Sequence, residues 1–412
     1  MSTFDDSALI SSSASSQFPA TRPVDSMQFG SPPAPDAPRR AAIRFTASGS
    51  EYFRIWIVNL LLTLVTLSAY YPFARARKLR YFHANTLVDE QPLGFHGDPW
   101  KMLRGHLLVV LFLVCYGGAG RISPVAGGVA ALIFAALWPA LWVASLRFRL
   151  GNTSWRGLRL HFSGSLPGAY LAFAPFVPAV LVILGSALMG EHPDPETAKT
   201  VGIAMGLALL LMLALIPLGL ARLKRYQHGH FNLGSERTQL SARTRSFYAF
   251  YLRSFGLTLL TMVMVVASVA GVALLVGAVA LASGASKETL MALLPIAVLL
   301  SYLPFFFVLQ PYAVSRLQNL VWNHTASQHV GFESRLRASS LAWRMLKNFF
   351  FMVITLGLYR PFAVVHTTRL RLESTQVLVQ GDVNQWLDTR AAAQAEAAGD
   401  AAGDVLGIDI GL

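Results

Sequence analysis

One cysteine, Cys115, stands in a chain of 412 residues, so no intrachain disulfide can form. Acids are scarce as well. The 21 Asp and Glu face 34 Lys and Arg, for a net charge of +13, and charged residues make up only 13% of the chain. A membrane hydrolase or transferase needs clustered acids, histidines or nucleophiles. The basic connections hold only Asp89, Glu90, Asp98, Glu236 and Glu333, and no two of these form a spaced pair with a histidine. Phosphate loops, nucleophile elbows and zincin motifs are missing too. His228 and His230 have no Asp, Glu or Cys at ligand spacing. The expectation is therefore no catalytic residue, no metal and no cofactor, which weighs against an enzyme. The first 40 residues lack a basic stretch followed by an apolar one, so they do not read as a secretory signal.

Apolar sequence is abundant instead: hydrophobic residues reach 54% and mean hydropathy is +0.49. Several runs approach or exceed the roughly 20 residues that cross a bilayer. These features predict an all-α polytopic membrane protein with one membrane domain, 43–390, between disordered tails at 1–42 and 391–412. Six spans pair into three parallel-oriented hairpins: 105–119 with 124–146, 168–190 with 200–221, and 254–282 with 289–312. The connections between hairpins carry 22 Lys or Arg, against Arg121, Lys199 and Lys287 in the tight turns. The positive-inside bias places the long connections in the cytoplasm.

The apolar segments 52–72 and 347–363 carry a repeat. Thr66-Leu67-Ser68-Ala69-Tyr70-Tyr71-Pro72-Phe73-Ala74 returns 289 residues later as Thr355-Leu356-Gly357-Leu358-Tyr359-Arg360-Pro361-Phe362-Ala363. The same shift takes Asn59 to Asn348, Arg80 to Arg369 and Thr86 to Thr375. Each segment either spans or enters from the cytoplasm, turns at Leu67 or Leu356 and returns. Re-entry leaves both termini cytoplasmic. A second shift, of 67, takes Pro72 to Pro139, Arg80 to Arg147 and Gly97 to Gly164, with weaker copies around Pro217 and Pro311. After each copy comes a short polar strand and then a helix cap. The strands are Ile43–Thr46, Leu93–His96, Leu158–Phe162 and Gln376–Gln380, and the caps are Ser50, Asp98, Ser165 and Asp382. The short strands would form a small cytoplasmic sheet beneath the helices.

The stretch Phe45-Thr46-Ala47-Ser48-Gly49-Ser50-Glu51-Tyr52-Phe53-Arg54-Ile55-Trp56, with Asn59, resembles the start of the YjgN-like family of bacterial inner-membrane proteins. The run from Thr66 to Thr86, Phe95-His96-Gly97-Asp98-Pro99 and Tyr359-Arg360-Pro361-Phe362-Ala363 fit the same family. Ser68 departs from it, standing where the family more often has glycine. The resemblance covers about 43–390. It implies a multi-pass inner-membrane protein of a Gram-negative bacterium, and no activity.

Two groups of residues stand out as candidate sites. The cation- and ring-bearing stretches with Arg75, Arg77, Lys78 and Arg80, and with Arg222, Lys224 and Arg225, suit anionic headgroups. Asn59, Tyr70, Pro72, Asn348, Tyr359 and Pro361 are the polar and motif positions within the apolar segments. Anchoring explains the first group as well as ligand binding does, and interhelical hydrogen bonding explains the asparagines. Anionic membrane lipids are the expected partners. Nucleic acid is not expected, because the cations interrupt apolar runs. Two readings of function remain: a transporter or channel for an apolar or lipid-like substrate, and a lipid-organising scaffold with a basic cytoplasmic face.

Overall fold

The computed structural model describes residues 38–189, 194–234, 236–283 and 302–380. The Asp382 cap, the tail beyond Arg390, the first 37 residues and the third hairpin's turn with the start of its second span lie outside them.

The chain alternates strands with helical excursions. Strand β1 (Arg39–Phe45) leads into α1 (Gly49–Val65), and α2 (Tyr71–Ala84) returns to β2 (Thr86–Val88) and β3 (Gln91–Phe95). Helix α3 (Pro99–Ile122) goes out, α4 (Pro124–Gly151) comes back, and β4 (Thr153–Trp155) and β5 (Leu158–Phe162) follow. The third excursion leaves through α5 (Leu166–Phe173) and α6 (Val177–Met189) and returns as α7 (Pro195–His228). It reaches β6 (Phe231–Leu233), β7 (Glu236–Arg237) and β8 (Gln239–Leu240). Helices α8 (Thr244–Ser283) and α9 (Leu303–Trp322) precede β9 (Thr325–Ala326) and β10 (Val330–Ser334). Last come α10 (Ala338–Ile354), α11 (Arg360–Glu373) and β11 (Thr375–Val379). Helices α3, α4, α7 and α8 as far as Leu275 are long and apolar enough to cross a bilayer. They expose Leu111, Val114, Leu210 and Val263, as a lipid-facing surface does.

The expectation of an all-α fold with a few short strands is overturned. Among the described residues, eleven strands join in one antiparallel sheet, in the order β7-β6-β5-β4-β3-β2-β1-β11-β10-β9-β8. Its two ends are consecutive in the chain, separated by Thr238 alone, so the backbone itself nearly closes the sheet into a ring. Strand β1 bridges in the same way: Arg39–Ala42 pair with β11, and Ile43–Phe45 pair with β2. Most of these strands escape sequence reading because an alternating pattern needs about four residues to show itself. Ala41, Trp155, Leu158, Val377 and Val379 are buried together, with Val88, Leu93, Leu233 and Phe332 packed against them. These side chains come from strands all around the ring, so its centre is filled.

The first two expected hairpins are present, as α3 with α4 and as α5 and α6 with α7; α8 and α9 belong to the third, whose turn lies outside the described residues, and two more hairpins join them. The terminal apolar segments are themselves helix–turn–helix excursions, α1 with α2 and α10 with α11, and both limbs of each end at the strand ring. Ser48, not Ser50, holds the N-cap position of α1, and its side chain makes no capping bond. Asp98 and Ser165 cap as expected, accepting from the Trp100 and Gly168 N–H groups.

The repeated motif is explained by its turn. Ser68 N–H donates to Thr63 O and Leu67 N–H to Leu64 O, a Schellman pair. Ala69 N–H reaches Thr66 O, Tyr71 N–H reaches Ser68 O, and the Thr66 hydroxyl accepts from Tyr70 N–H. The second copy repeats every bond, with Thr355 Oγ1 accepting from Tyr359 N–H. Every N–H from Thr66 to Tyr71 is therefore satisfied within the turn, as backbone surrounded by hydrocarbon requires. Leu67 and Leu356 at the two tips are 92% and 93% exposed, which suits lipid contact.

Ser68 sits at φ 75°, where its counterpart Gly357 sits at φ 89°. Left-handed backbone costs a side chain roughly 1–2 kcal/mol, part of which glycine's extra freedom in the unfolded chain offsets. Ser68→Gly is expected to stabilise the protein by about 0.5–1 kcal/mol, and thermal unfolding in detergent reads this directly. An unchanged or lowered midpoint would show that the turn holds no strain at this position.

Candidate functional site

Each returning helix carries a proline in one register. Pro72, Pro139, Pro217, Pro311 and Pro361 lie eleven or twelve residues before the ends of their helices, and all five are buried. Eight residues beyond each proline stands a donor: Arg80, Arg147, Arg225, Asn319 and Arg369. Each donor reaches the carbonyl of the residue two positions beyond the strand that leads into the next outgoing helix, with β1 and α1 serving α11. Arg80 donates to Gly97 O at 3.1 Å, Arg147 to Gly164 O at 2.8 Å and Arg225 to Ala242 O at 2.9 Å. Asn319 donates to Leu336 O at 3.0 Å and Arg369 to Ala47 O at 2.7 Å. Arg80 and Arg225, candidate ligand contacts by sequence, are thus clasps that fix helices to the strand ring. The fifth clasp joins the end of the described chain to its beginning.

Other returning-helix positions fall in one register: one before each proline, three or four after it, six or seven after it, and ten after it. These share one face of an α-helix. Arg75 and Lys78 occupy it on α2, Arg149 on α4, Lys224 on α7, and Arg360 and Arg371 on α11. Arg149, Arg360 and Arg371 escape sequence reading, because only registration on the five prolines aligns them with Arg75 and Lys78. Lys224 bonds to Gln227 Oε1 at 2.9 Å, and Arg371 to Gln318 Oε1 at 2.9 Å. No ion pair joins Arg75, Lys78 or Arg360 to an acid among the described residues. Burial in surrounding protein, then Arg360 and Arg75, holds the Lys78 ammonium below its usual pKa. Yet Lys78 and Arg360 are exposed to water. Lys78, desolvated by protein yet accessible to solvent, lines a recess and not an outer surface.

That recess is a cleft of about 400 Å³ between α1, α2 and α11. Its walls include Tyr52, Trp56, Asn59, Thr63, Tyr71, Arg75, Lys78, Arg360 and Pro361. A second cleft, of about 810 Å³, lies between α9, α10 and α11, with Leu341, Met345, Asn348, Phe349, Met352 and Arg360 among its lining. The two are copies of one site. Moving Leu341, Met345, Asn348, Phe349 and Met352 back by 289 gives Tyr52, Trp56, Asn59, Leu60 and Thr63, and all five line the first cleft. A third, more apolar cleft of about 580 Å³ includes Trp138, Pro139, Tyr170 and Phe173.

The two asparagines lie inside these sites and are mostly occupied with packing. Asn348 Nδ2 donates to Ala363 O at 3.3 Å and to Thr367 Oγ1 at 3.1 Å. Asn59 lies 3.5 Å from both Ala74 O and Arg77 Nη1, longer and weaker contacts. Arg77 therefore belongs to the Asn59 contact, apart from Arg75 and Lys78. Tyr70 stacks on Phe73 with centroids 5.6 Å apart, and Tyr359 on Phe362 at 5.4 Å, which ties the motif rings to their own helices. Arg222 is half-buried on α7 and lines none of the three clefts. Among the described residues, no three His, Cys, Asp or Glu gather as a metal site. His228 is buried against Trp322, with ring centroids 5.1 Å apart.

Comparison with known proteins agrees with this architecture. Residues 40–405 match the family described as bacterial protein of unknown function (DUF898). The chain is 25% identical over 365 residues to the inner membrane protein YjgN of Salmonella typhimurium, covering 82% of this chain and 88% of that one. It is 25% identical over 187 residues to the inner membrane protein YjgN of Escherichia coli O157:H7, covering 45% and 46%. No solved structure matches. With its multi-pass helices and its repeated motif, the chain belongs to the YjgN-like family of bacterial inner-membrane proteins.

Proposed function

We propose that this inner-membrane protein transports an apolar or lipid-like substrate, taking it sideways from the bilayer into the clefts beside the motif helices. The observation that carries this reading is the pair of repeat-related clefts, which bring together the two motif asparagines, Pro361 at the start of α11 and largely apolar walls. The filled centre of the strand ring opposes an axial channel for water-soluble solutes. Lateral entry leaves molecules already dissolved in hydrocarbon as substrates. The strand ring faces the cytoplasm in this proposal, because the connections that build it hold 22 Lys or Arg. Both termini lie on that side.

Reconstitution into liposomes carrying a fluorescent lipid analogue in both leaflets tests the reading. A membrane-impermeant quencher added outside is expected to bleach more than the outer-leaflet share in vesicles that contain the protein. Bleaching equal to that of empty vesicles, with folded protein present, would reject transport of this class. It would favour the scaffold reading, for which the rigid basic ring is the supporting feature. A periplasm-dependent reporter fused after Arg390 is expected to stay inactive; strong activity there reverses the orientation.

A further inference from the structure

The two related clefts have diverged in chemistry. In the first, Tyr52, Trp56 and Thr63 accompany Arg75, Lys78 and Arg360. In the second, the corresponding α10 positions are Leu341, Met345 and Met352, and Val364 and Thr367 replace Arg75 and Lys78. One copy of the site is cationic and aromatic; its twin has Leu341, Met345, Phe349 and Met352 along α10, with Arg360 and Arg371 on its α11 side. They do not stand apart: Arg360 and Val364 of α11 line both. Arg360 is thus common to a cleft with two further cations, Arg75 and Lys78, and to a cleft whose α10 wall is apolar.

We propose that the two clefts together hold one anionic amphiphile. Its phosphate or carboxylate rests on Arg75, Lys78 and Arg360, and its hydrocarbon chain lies along Met345, Phe349 and Met352. The inference deepens the transport reading and rests on it. It adds charge to a substrate class there defined only as apolar or lipid-like.

Three considerations support it. Arg75, Lys78 and Arg360 line one cleft, and Arg360 and Arg75 both disfavour the charge on Lys78. A bound anion reverses the sign of that interaction, and charge-assisted bonds from guanidinium groups are among the stronger hydrogen bonds. None of the three side chains serves as a clasp, unlike Arg80, Arg147, Arg225 and Arg369; Lys78 lies over the Phe82 ring, 5.5 Å from its centroid, and its ammonium has no anionic partner among the described residues. The second cleft, at about 810 Å³, lies in the size range of small-molecule sites, and methionine and phenylalanine walls adapt to flexible chains.

The test titrates the purified full-length protein in a neutral detergent with phosphatidylglycerol, palmitate, phosphatidylcholine and inorganic phosphate, reading bound ligand by native mass spectrometry. Phosphatidylglycerol or palmitate is expected to bind at least tenfold more tightly than phosphatidylcholine, and the better of the two identifies the anionic group. Arg75→Gln, Lys78→Gln and Arg360→Gln combined should remove that preference, while Arg159→Gln, an exposed strand cation, should keep it. Met352→Asp should weaken the two lipids and leave inorganic phosphate unaffected. Phosphatidylcholine bound as tightly as phosphatidylglycerol, in wild type and triple variant alike, overturns the anionic inference and leaves the lipid-like reading standing. Inorganic phosphate binding as well as either anionic lipid overturns the need for a chain. If no lipid is retained, the inference and the reading beneath it fall together.

Discussion

Replacing Arg369 with alanine is expected to cost about 3 kcal/mol of stability. Its guanidinium donates through Nη2 to Ala47 O at 2.7 Å and through Nε to Phe45 O at 3.1 Å. It thereby ties the last returning helix to the first strand, 322 residues away in sequence. Hydrogen bonds from charged donors contribute roughly 1.5–3 kcal/mol each, and the abandoned carbonyls sit where β1 turns into α1 with Phe45 and Ala47 buried. Arg369→Lys keeps one bond at most and should lose about half as much. Arg77→Ala removes a cation whose one hydrogen bond among the described residues is at 3.5 Å, and it should change stability by less than about 0.5 kcal/mol. Denaturant or thermal unfolding in one detergent compares all three. If Arg369→Ala matches Arg77→Ala, the clasp does not hold the ring closed.

How much of this was legible in the sequence depended on the length of the signal. The repeat of Thr66–Ala74 in Thr355–Ala363 reads directly, because nine mixed residue types recur in register. The turn reads too, since Pro72 and Pro361 start returning helices where a missing N–H costs nothing. Strand β5 shows its bounds because five alternating residues suffice, whereas β7, β8 and β9 have two residues each and nothing to alternate. The ring itself is a long-range fact, since the residues flanking Thr238 pair with strands from opposite sides of the sequence. At the candidate site, Arg75 and Lys78 were visible as part of a basic run, but so were Arg77 and Arg80, which do other work. Helical phase separates them, and only the proline register supplies that phase. Asn319 hid because an amide stands where the other copies have arginine.

Variation among the five copies leads to the second large effect. The residue accepting each clasp is Gly97, Gly164, Ala242, Leu336 or Ala47. Two positions earlier stand Phe95, Phe162, Leu240, Ser334 and Phe45. Glycine occurs where two rings crowd the site: a Cβ on Gly164 would lie 2.5 Å from the Phe162 ring and closer still to the Tyr226 hydroxyl. A Cβ on Gly97 would lie 2.5 Å from the Phe95 ring and 3.2 Å from Phe148. Where Leu240 replaces the first ring and Leu320 stands in the place of Tyr226, alanine fits as Ala242, 1% exposed. Where the first position is Ser334, leucine fits. The fifth copy is an exception, since Ala47 packs with Phe45 and Tyr81, so the crowding at Gly164 is set by how closely its own two rings approach. Gly164→Ala is expected to cost about 2–3 kcal/mol through overpacking. In a Phe162→Leu, Tyr226→Leu background, which reproduces the third copy, the same change should cost at least about 1 kcal/mol less, a coupling of the size found between residues in contact. The background itself is weakened, because Tyr226 Oη donates to Ser165 O at 2.8 Å, so the increment carries the test and not the absolute stability. Equal increments in the two backgrounds would mean that backbone freedom at Gly164, not the space left by its neighbours, selects the glycine.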